Sequence, residues 1–251
     1  MDFKVIHIGE TDSTNRWLRE WITHGVRNDV QFLRKDCTSF LTPCVIAEYQ
    51  TAGRGCGTNS WESERGMNLT FSMLIHPENL PANRQFYITE VTSVALCETL
   101  EHYLGCAVEV KWPNDIYVGD QKICGMLIEN TLQGSRIKDS IIGIGLNVNQ
   151  TVFESDAPNP VSMRQLAGRT FNREEVLHAF FAAFDTVLTR QTASLDYRDR
   201  LYRRVGAYLF KDERCTFRAE IASVLPDGHL RLLTEDGELR TYAFKEVQFI
   251  I

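Results

Sequence analysis

The sequence lacks the paired cysteines and histidines of disulfide frameworks and zinc sites. Its 251 residues include seven cysteines, an odd number with no Cys-x-x-Cys pair, and six histidines without paired ligand spacing. Scattered thiols of this kind are typical of a reducing compartment. The sequence therefore predicts no disulfide framework and no metal site made by the protein alone.

Long apolar runs and an excess of positive charge are also missing. No stretch approaches the ~20 apolar residues that span a membrane, and residues 1–6 lack the apolar core of a signal peptide. The formal net charge is −6, which argues against generic nucleic-acid binding. We therefore expect a cytoplasmic protein with no membrane or DNA partner, while a local basic cleft for a small phosphate ligand remains possible.

The sequence does have the composition of a globular protein, with 43% hydrophobic and 10% aromatic residues. Asp12 or Ser13 can cap a first helix that ends at Gly25. Its apolar face would consist of Trp17, Leu18, Trp21 and Ile22. Apolar periodicity further predicts strands at 44–49, 68–75, 108–111, 115–118, 122–129 and 140–146, and helices at 84–104, 172–189 and 196–205.

The pattern changes at about residue 206. Short alternating strands at 215–225, 230–234 and 239–244 are joined by Pro226-Asp227-Gly228 and Glu235-Asp236-Gly237, which are good turn sequences. We therefore predict an α+β domain around one sheet at 1–205 and a compact β-barrel at 206–251.

A glycine-rich loop, Gly53-Arg54-Gly55-Cys56-Gly57, follows the first predicted strand. Glycines let successive backbone N–H groups approach an anion. The loop is not a P-loop, because no Gly-Lys-Ser/Thr follows, and Thr58 replaces the third glycine of a dinucleotide fingerprint. Taken alone, it is explained equally well as a plain turn.

Polar and charged side chains recur near predicted strand and helix ends. Ser13, Thr14 and Asn15 are explained by helix capping or by ligand contact, and Gln50 needs a backbone or ligand partner where its strand ends. Cations on rigid strands are what an enzyme needs to neutralise phosphate oxygens. The candidates for that chemistry, each also open to an ordinary structural explanation, are Trp61, Lys111, Asn114, Asp115, Lys122 and Asn147.

In their order and spacing, these residues resemble the biotin protein ligases, also called biotin–acetyl-CoA-carboxylase ligases. The resemblance covers most of residues 5–150, and its most specific part is Lys111-Trp112-Pro113-Asn114-Asp115 followed by Lys122-Ile123-x-Gly125. It implies a central mixed sheet with flanking helices, of the class II aminoacyl-tRNA-synthetase and biotin-ligase type, and a C-terminal SH3-like barrel. It also implies ATP and Mg²⁺ as cofactors and biotin as substrate. The reaction would pass through biotinyl-5′-adenylate to a lysine of a biotin carboxyl carrier protein.

The resemblance implies a role for each site residue. Lys122 would bridge the biotin carboxylate and the α-phosphate, Asp115 would orient the acceptor amine first and act as a base second, and Lys111 would be a weaker catalytic candidate or structural. The implied biotin contacts are Ser13, Thr14, Asn15, Gln50, Gly53, Arg54, Gly55, Cys56, Lys122 and Gly125. The implied ATP or adenylate contacts are Arg54, Trp61, Lys111, Asn114, Lys122 and Asn147.

The chain departs from the family in two places. The family often reads Gly-Arg-Gly-Arg-x-Gly-Arg-x-Trp, whereas Cys56 and Asn59 replace its second and third arginines here. A thiol cannot supply a cationic fork, so we expect weaker retention of the adenylate unless Arg65 or another cation substitutes. Ser13 lies almost at the start, leaving no room for the helix-turn-helix of some relatives, so we expect no DNA binding.

Three alternatives remain open at this point. A lipoate–protein ligase shares the implied fold, a non-catalytic biotin or nucleotide sensor could keep the ring contacts without Lys122, and an interaction protein could be built on the C-terminal barrel. The presence of Lys122 and Asp115 favours an enzyme, and the Gly-Arg-Gly loop favours biotin. A homodimer through sheet edges is plausible.

Overall fold

A mixed sheet of seven strands, here called the main sheet, organises the chain. The computed structural model describes residues 1–24, 41–57, 59–154 and 159–251. The sheet order within these ranges is β1-β2-β3-β7-β6-β5-β4; β1 and β2 are parallel and all other neighbours antiparallel. The strands are β1 (Asp2–Ile8), β2 (Leu41–Ala47), β3 (Leu69–Ile75), β4 (Glu109–Lys111), β5 (Asp115–Val118), β6 (Gln121–Gln133) and β7 (Arg136–Leu146). The predicted central mixed sheet is confirmed.

Helices cover both faces of this sheet, as predicted. They are α1 (Thr14–His24), α2 (Phe86–Leu104), α3 (Met163–Ala167), α4 (Arg173–Thr189) and α5 (Ala193–Asp199), with a short 3₁₀ turn at Ala82–Arg84. Because neighbouring strand residues point to opposite faces, Leu74 packs with Leu18 of α1 while Phe71 and Met73 belong to the larger core with α2 and α4. Ile22, predicted on the apolar face of α1, is 36% exposed. The predicted helix end at Gly25 lies outside the described residues.

Two helix predictions hold closely, since the helix predicted at 172–189 is α4 and the one predicted at 84–104 is α2. α2 ends at Gly105, which has φ 65° and donates its N–H to Glu101 O, as predicted. The helix predicted at 196–205 is wrong beyond residue 199. There the backbone joins the edge of the main sheet instead, because Val110 N–H donates to Arg200 O and Tyr202 N–H donates to Val110 O.

A second sheet, here called the C-terminal sheet, follows the helices. Its five strands are antiparallel in the order β11-β10-β9-β8-β12. They are β8 (Tyr208–Asp212), β9 (Thr216–Val224), β10 (Leu230–Thr234), β11 (Leu239–Tyr242) and β12 (Val247–Phe249). The sequence predicted β9, β10 and β11, and it missed β8 and β12. The domain boundary between residues 205 and 206 remains a prediction.

The two sheets share one apolar core. A single cluster of buried side chains includes Phe71 and Ile142 of the main sheet together with Phe210 and Leu232 of the C-terminal sheet. Trp112, which follows β4, is buried and donates its Nε1–H to Gly228 O at 2.8 Å, in the turn between β9 and β10. Trp112 therefore packs where the two sheets meet. No helix of the described ranges is long and apolar enough to cross a membrane.

Candidate functional site

An open cleft of about 640 Å³ lies between the main sheet, the glycine-rich loop and the C-terminal sheet. Its walls contain most of the residues that the sequence singled out. Those lining it are Ser13, Thr14, Asn15, Gln50, Arg54, Gly55, Cys56, Trp61, Lys111, Asn114, Asp115, Lys122 and Gly125. Gly53 and Asn147 do not line it.

One end of the cleft is a buried polar network at the start of α1. Thr14 donates both its N–H and its hydroxyl to Gln50 Oε1, at 2.8 and 3.1 Å. Ser72 of β3 lies 2.7 Å from Thr14 Oγ1 and 2.6 Å from Asn15 Oδ1. Gln50 therefore satisfies the first amide of α1, and the helix start is fixed to the cleft wall. Ser72 was not among the predicted site residues, and its signal is a hydroxyl within the apolar strand 68–75.

Glu129 of β6 connects this network to the cations around it. Its carboxylate accepts a hydrogen bond from Asn15 Nδ2 at 2.9 Å and lies 3.5 Å from Arg54 Nη1 and 3.3 Å from Arg19 Nη2. Arg54 is therefore held by a carboxylate and is not a free surface cation. Glu129 was not among the predicted site residues, because a carboxylate in a strand carries no signal without its partners.

The glycine-rich loop folds back on the residues that follow it. Gly55 N–H donates to Asn59 O at 2.8 Å, and Trp61 N–H donates to Gly53 O at 2.9 Å. A Cβ on Gly53 would lie 2.4 Å from Trp61 O, so this position has no room for a side chain. The loop is therefore a turn, and this turn also sets the position of Trp61.

The Trp61 indole lies against two glycines of the main sheet. A Cβ on Gly145 would lie 2.2 Å from the indole, and one on Gly125 would lie 3.2 Å from it. Lys122 Nζ is 5.9 Å from the ring centroid, within cation–π range. Trp61 Nε1 is buried and has no hydrogen-bond partner among the described residues. The indole thus forms an aromatic wall of the cleft, and its buried N–H is left without an acceptor.

Lys122 and Asp115 form an ion pair inside the cleft. Lys122 Nζ lies 2.7 Å from Asp115 Oδ1, and each side chain is about one-fifth exposed. The pairing follows from the hairpin of β5 and β6, in which Asp115 lies opposite Gly125 and Tyr117 opposite Lys122. The ammonium therefore faces the cleft that also contains Gln50 and the glycine-rich loop.

Lys111 occupies a less polar position. Its Nζ lies 5.1 Å from the centroid of Tyr117 and 5.5 Å from that of Phe249 in the C-terminal sheet. Burial lowers the pKa of Lys111, and the nearby Asp115 carboxylate partly offsets this effect. Lys111 therefore connects the two sheets in addition to lining the cleft.

Asn114 and Cys56 are bonded to the backbone of β6. Asn114 Nδ2 donates to Met126 O at 2.6 Å and lies 3.2 Å from Cys56 Sγ. Burial, with a smaller contribution from Asp115, raises the pKa of Cys56 to about 11. The thiol is therefore protonated near neutral pH and supplies neither a charge nor a reactive thiolate.

Two other predicted residues lie elsewhere. Asn147 is buried behind the cleft wall, where its Nδ2 donates to Val161 O at 3.1 Å. Arg65, the suggested substitute for the missing arginines, pairs with Glu10 and stacks on Tyr49. It does not line the cleft.

The cleft lining offers one carboxylate to the expected Mg²⁺. The described ranges contain no group of three or more His, Cys, Asp or Glu side chains that could hold a metal ion. Mg²⁺ in nucleotide sites needs one or two carboxylates plus phosphate oxygens. Asp115, the carboxylate on the cleft wall, is already paired with Lys122. Mg²⁺ therefore stays a prediction, with Asp115 as the carboxylate of the cleft lining that would hold it beside the nucleotide phosphates.

Comparisons with known proteins agree with this geometry. Residues 38–147 match the model of the biotin/lipoate A/B protein ligase family. The bifunctional ligase/repressor BirA of Bacillus subtilis is 33% identical over 146 residues, which are 56% of this chain and 44% of BirA. The biotin–[acetyl-CoA-carboxylase] ligase of Paracoccus denitrificans is 30% identical over 61% of this chain and 63% of its own length. The chain thus spans less than two thirds of either relative.

Among solved structures, the fold matches that of the biotin protein ligase from Aquifex aeolicus in complex with biotin and ATP. The TM-score is 0.75 at 22% identity, over 98% of this chain and 99% of that one. This likeness confirms the predicted fold class over nearly the full chain.

Proposed function

We propose that this chain, whose residues 38–147 match the model of the biotin/lipoate A/B protein ligase family, is an ATP-dependent biotin ligase. It would join biotin and ATP to biotinyl-5′-adenylate and then transfer biotin to a lysine of a biotin carboxyl carrier protein. The observation that carries the proposal is the Lys122–Asp115 pair, which lies in one cleft with the polar network of Thr14, Asn15 and Gln50. The named activity of the Paracoccus denitrificans relative supports it.

The first step must bring two anions together, the biotin carboxylate and the ATP α-phosphate. Positive charge fixed beforehand offsets their repulsion at little reorganisation cost. Lys122 is our candidate for this position, because its ammonium faces the cleft between Trp61 and Asp115. The carboxylate oxygen then attacks phosphorus, pyrophosphate leaves, and a mixed anhydride with AMP as a good leaving group is formed.

The two ends of the cleft suit the two substrates. A ureido ring offers one carbonyl acceptor and two N–H donors, which match the buried polar groups of Ser13, Thr14 and Asn15 and the partly buried amide of Gln50. Trp61, Arg54 and Lys111 would contact the nucleotide side. Because Asn114 and Asn147 donate to backbone carbonyls, we assign them support of the walls rather than a charge-bearing contact.

Asp115 is the candidate for receiving the acceptor lysine in the second step. A carboxylate beside an ammonium raises the pKa of that amine, which opposes attack, but it also orients the amine by a hydrogen bond. Orientation is therefore its first role and proton acceptance its second. The carrier protein, a cytoplasmic location, the absence of DNA binding and a homodimer all remain predictions.

Biotin-dependent exchange of pyrophosphate into ATP tests the proposal. Exchange should require biotin, and Lys122→Ala should reduce it about 10²–10³-fold, as removal of one preorganised transition-state contact does. Lys138→Ala is the matched control, because this lysine of β7 is exposed outside the cleft. Addition of a biotin carboxyl carrier domain should then release AMP.

The rival functions give different results in the same assay. Exchange with lipoate and none with biotin would identify a lipoate ligase. Biotin binding without exchange, in the presence of ATP, would identify a sensor. Equal loss of exchange in Lys122→Ala and Lys138→Ala would contradict the role of Lys122.

A further inference from the structure

A lysine of the C-terminal sheet enters the cleft where the glycine-rich loop ends. Lys245 lies in the connection between β11 and β12 and lines the cleft together with Cys56 and Phe249. Nothing in the sequence pattern around residues 239–249 connects this lysine with the loop almost two hundred positions earlier.

The contact between Lys245 and the loop is close. A Cβ on Gly57 would lie 2.2 Å from Lys245 Nζ and 2.6 Å from its Cε, so the ammonium rests against the Gly57 backbone. Gly57 has φ 69°, and Cys56 beside it stands where related loops carry an arginine. Cationic charge therefore reaches this end of the loop from the other sheet.

Two other cations of the cleft lining have carboxylate partners, and Lys111 lies beside the Tyr117 and Phe249 rings. Arg54 is paired with Glu129 and Lys122 with Asp115. In contrast, no carboxylate of the described ranges forms an ion pair with Lys245, whose Nζ lies 5.9 Å from the centroid of the Phe244 ring. An ammonium without an ion-pair partner at a cleft wall is available to an anionic ligand.

The backbone at Lys245 is also unusual. Its φ is 72°, in the left-handed region that non-glycine residues seldom adopt. Val247, two residues later, is buried in the shared core, and Glu246 Oε2 accepts the Ala243 N–H at 2.7 Å. The connection is therefore anchored on both sides of Lys245, which fixes the direction in which its side chain leaves the sheet.

We propose that Lys245 binds a phosphate group of the nucleotide at the Cys56–Gly57 end of the loop, in place of a cation on the loop itself. This inference rests on the proposed function, because it assigns a contact within the same reaction. A cation delivered from the C-terminal sheet makes nucleotide retention depend on the docking of that sheet, and it leaves the biotin end of the cleft unaffected.

The test compares Lys245→Ala with Lys211→Ala, an exposed lysine on β8 of the same sheet. Lys245→Ala should raise the KM for ATP and speed release of trapped biotinyl-adenylate about tenfold, with the KM for biotin changed less than about twofold. Lys245→Arg should retain most of the wild-type affinity. Cys56→Arg in the Lys245→Ala background should restore retention, because it returns a cation to the same place.

Identical nucleotide kinetics in Lys245→Ala and Lys211→Ala would overturn the inference while leaving the proposed function intact. If the wild-type protein makes no adenylate, the proposed function fails, and calorimetric binding of α,β-methylene-ATP decides the inference separately. Weaker binding of this analogue by Lys245→Ala than by Lys211→Ala supports a phosphate contact. Equal binding by the two variants refutes it.

Discussion

At the scale of single residues, two glycines on β7 give the cleft its shape. Gly143 and Gly145 are two positions apart, so both face the cleft, and each leaves space for a large neighbour. A Cβ on Gly143 would lie 2.2 Å from Asn15 Oδ1, and a Cβ on Gly145 would lie 2.2 Å from the Trp61 ring. The two positions therefore control different ends of the cleft.

This difference gives a paired prediction. Gly143→Ala should displace Asn15 and raise the KM for biotin more than that for ATP, whereas Gly145→Ala should displace Trp61 and do the reverse. Overpacking of this kind costs ~1–3 kcal/mol, so the dominant KM should rise about tenfold or more. Gly9→Ala is the control, because nothing lies within 4 Å of its Cβ. Equal changes in both KM values for both variants would argue against separate subsites.

How far the cleft could be predicted depends on the kind of signal each residue carries. The sequence indicated Lys122, Asp115 and Gln50 because they lie at predicted strand ends and turns, where polar groups need partners. It did not indicate Ser72, Glu129 or Lys245, since their roles depend on contacts between distant strands. Asn147 was predicted as a nucleotide contact; its amide donates to Val161 O and it does not line the cleft, so that role stays a prediction.

At the scale of elements, the turn between β9 and β10 attaches the C-terminal sheet to the main sheet. Gly228 in this turn accepts the Trp112 Nε1–H at 2.8 Å, and a Cβ on it would lie 2.6 Å from the Phe86 ring at the start of α2. The same sheet supplies Phe249 and Lys245 to the cleft. A change that loosens this turn should therefore raise the KM for ATP.

Trp112→Phe tests this attachment. The substitution keeps an aromatic ring but leaves the Gly228 carbonyl without its donor, so the free energy of unfolding should fall by about 1–3 kcal/mol. The KM for ATP should rise more than the KM for biotin. Trp17→Phe is the control. It makes the same change at a partly buried tryptophan of α1, a helix that packs against the other face of the main sheet. A larger effect on biotin than on ATP in Trp112→Phe would refute the attachment.

The elements themselves were predictable where the signal is local. The helix at 84–104 was placed nearly correctly because Gly105 ends it, and the β5–β6 hairpin because Gly119-Asp120 forms its turn. The short strand β12 has three residues and no usable periodicity, and it exists because β8 pairs with it. The helix predicted beyond residue 199 was wrong because the backbone there forms hydrogen bonds with an edge strand of the main sheet instead.

At the scale of the whole molecule, the shared core makes the two sheets one unit of stability. Buried side chains of both sheets belong to the same apolar cluster, and the cleft is lined from both. A ligand that contacts both walls stabilises the native state by an amount that depends on the ratio of its concentration to its dissociation constant. The stabilisation is ~2.7 kcal/mol when the concentration is ~100 times the dissociation constant.

Thermal unfolding of the intact protein should therefore show one cooperative transition by both tryptophan fluorescence and circular dichroism. Biotin together with ATP should raise its midpoint more than either ligand alone, because the adenylate occupies both ends of the cleft. Lipoate with ATP should give only the shift that ATP gives alone. Two separate transitions, of which only one moves with ligand, would show that the C-terminal sheet is not coupled to the site. Two sheets that share one core should unfold together.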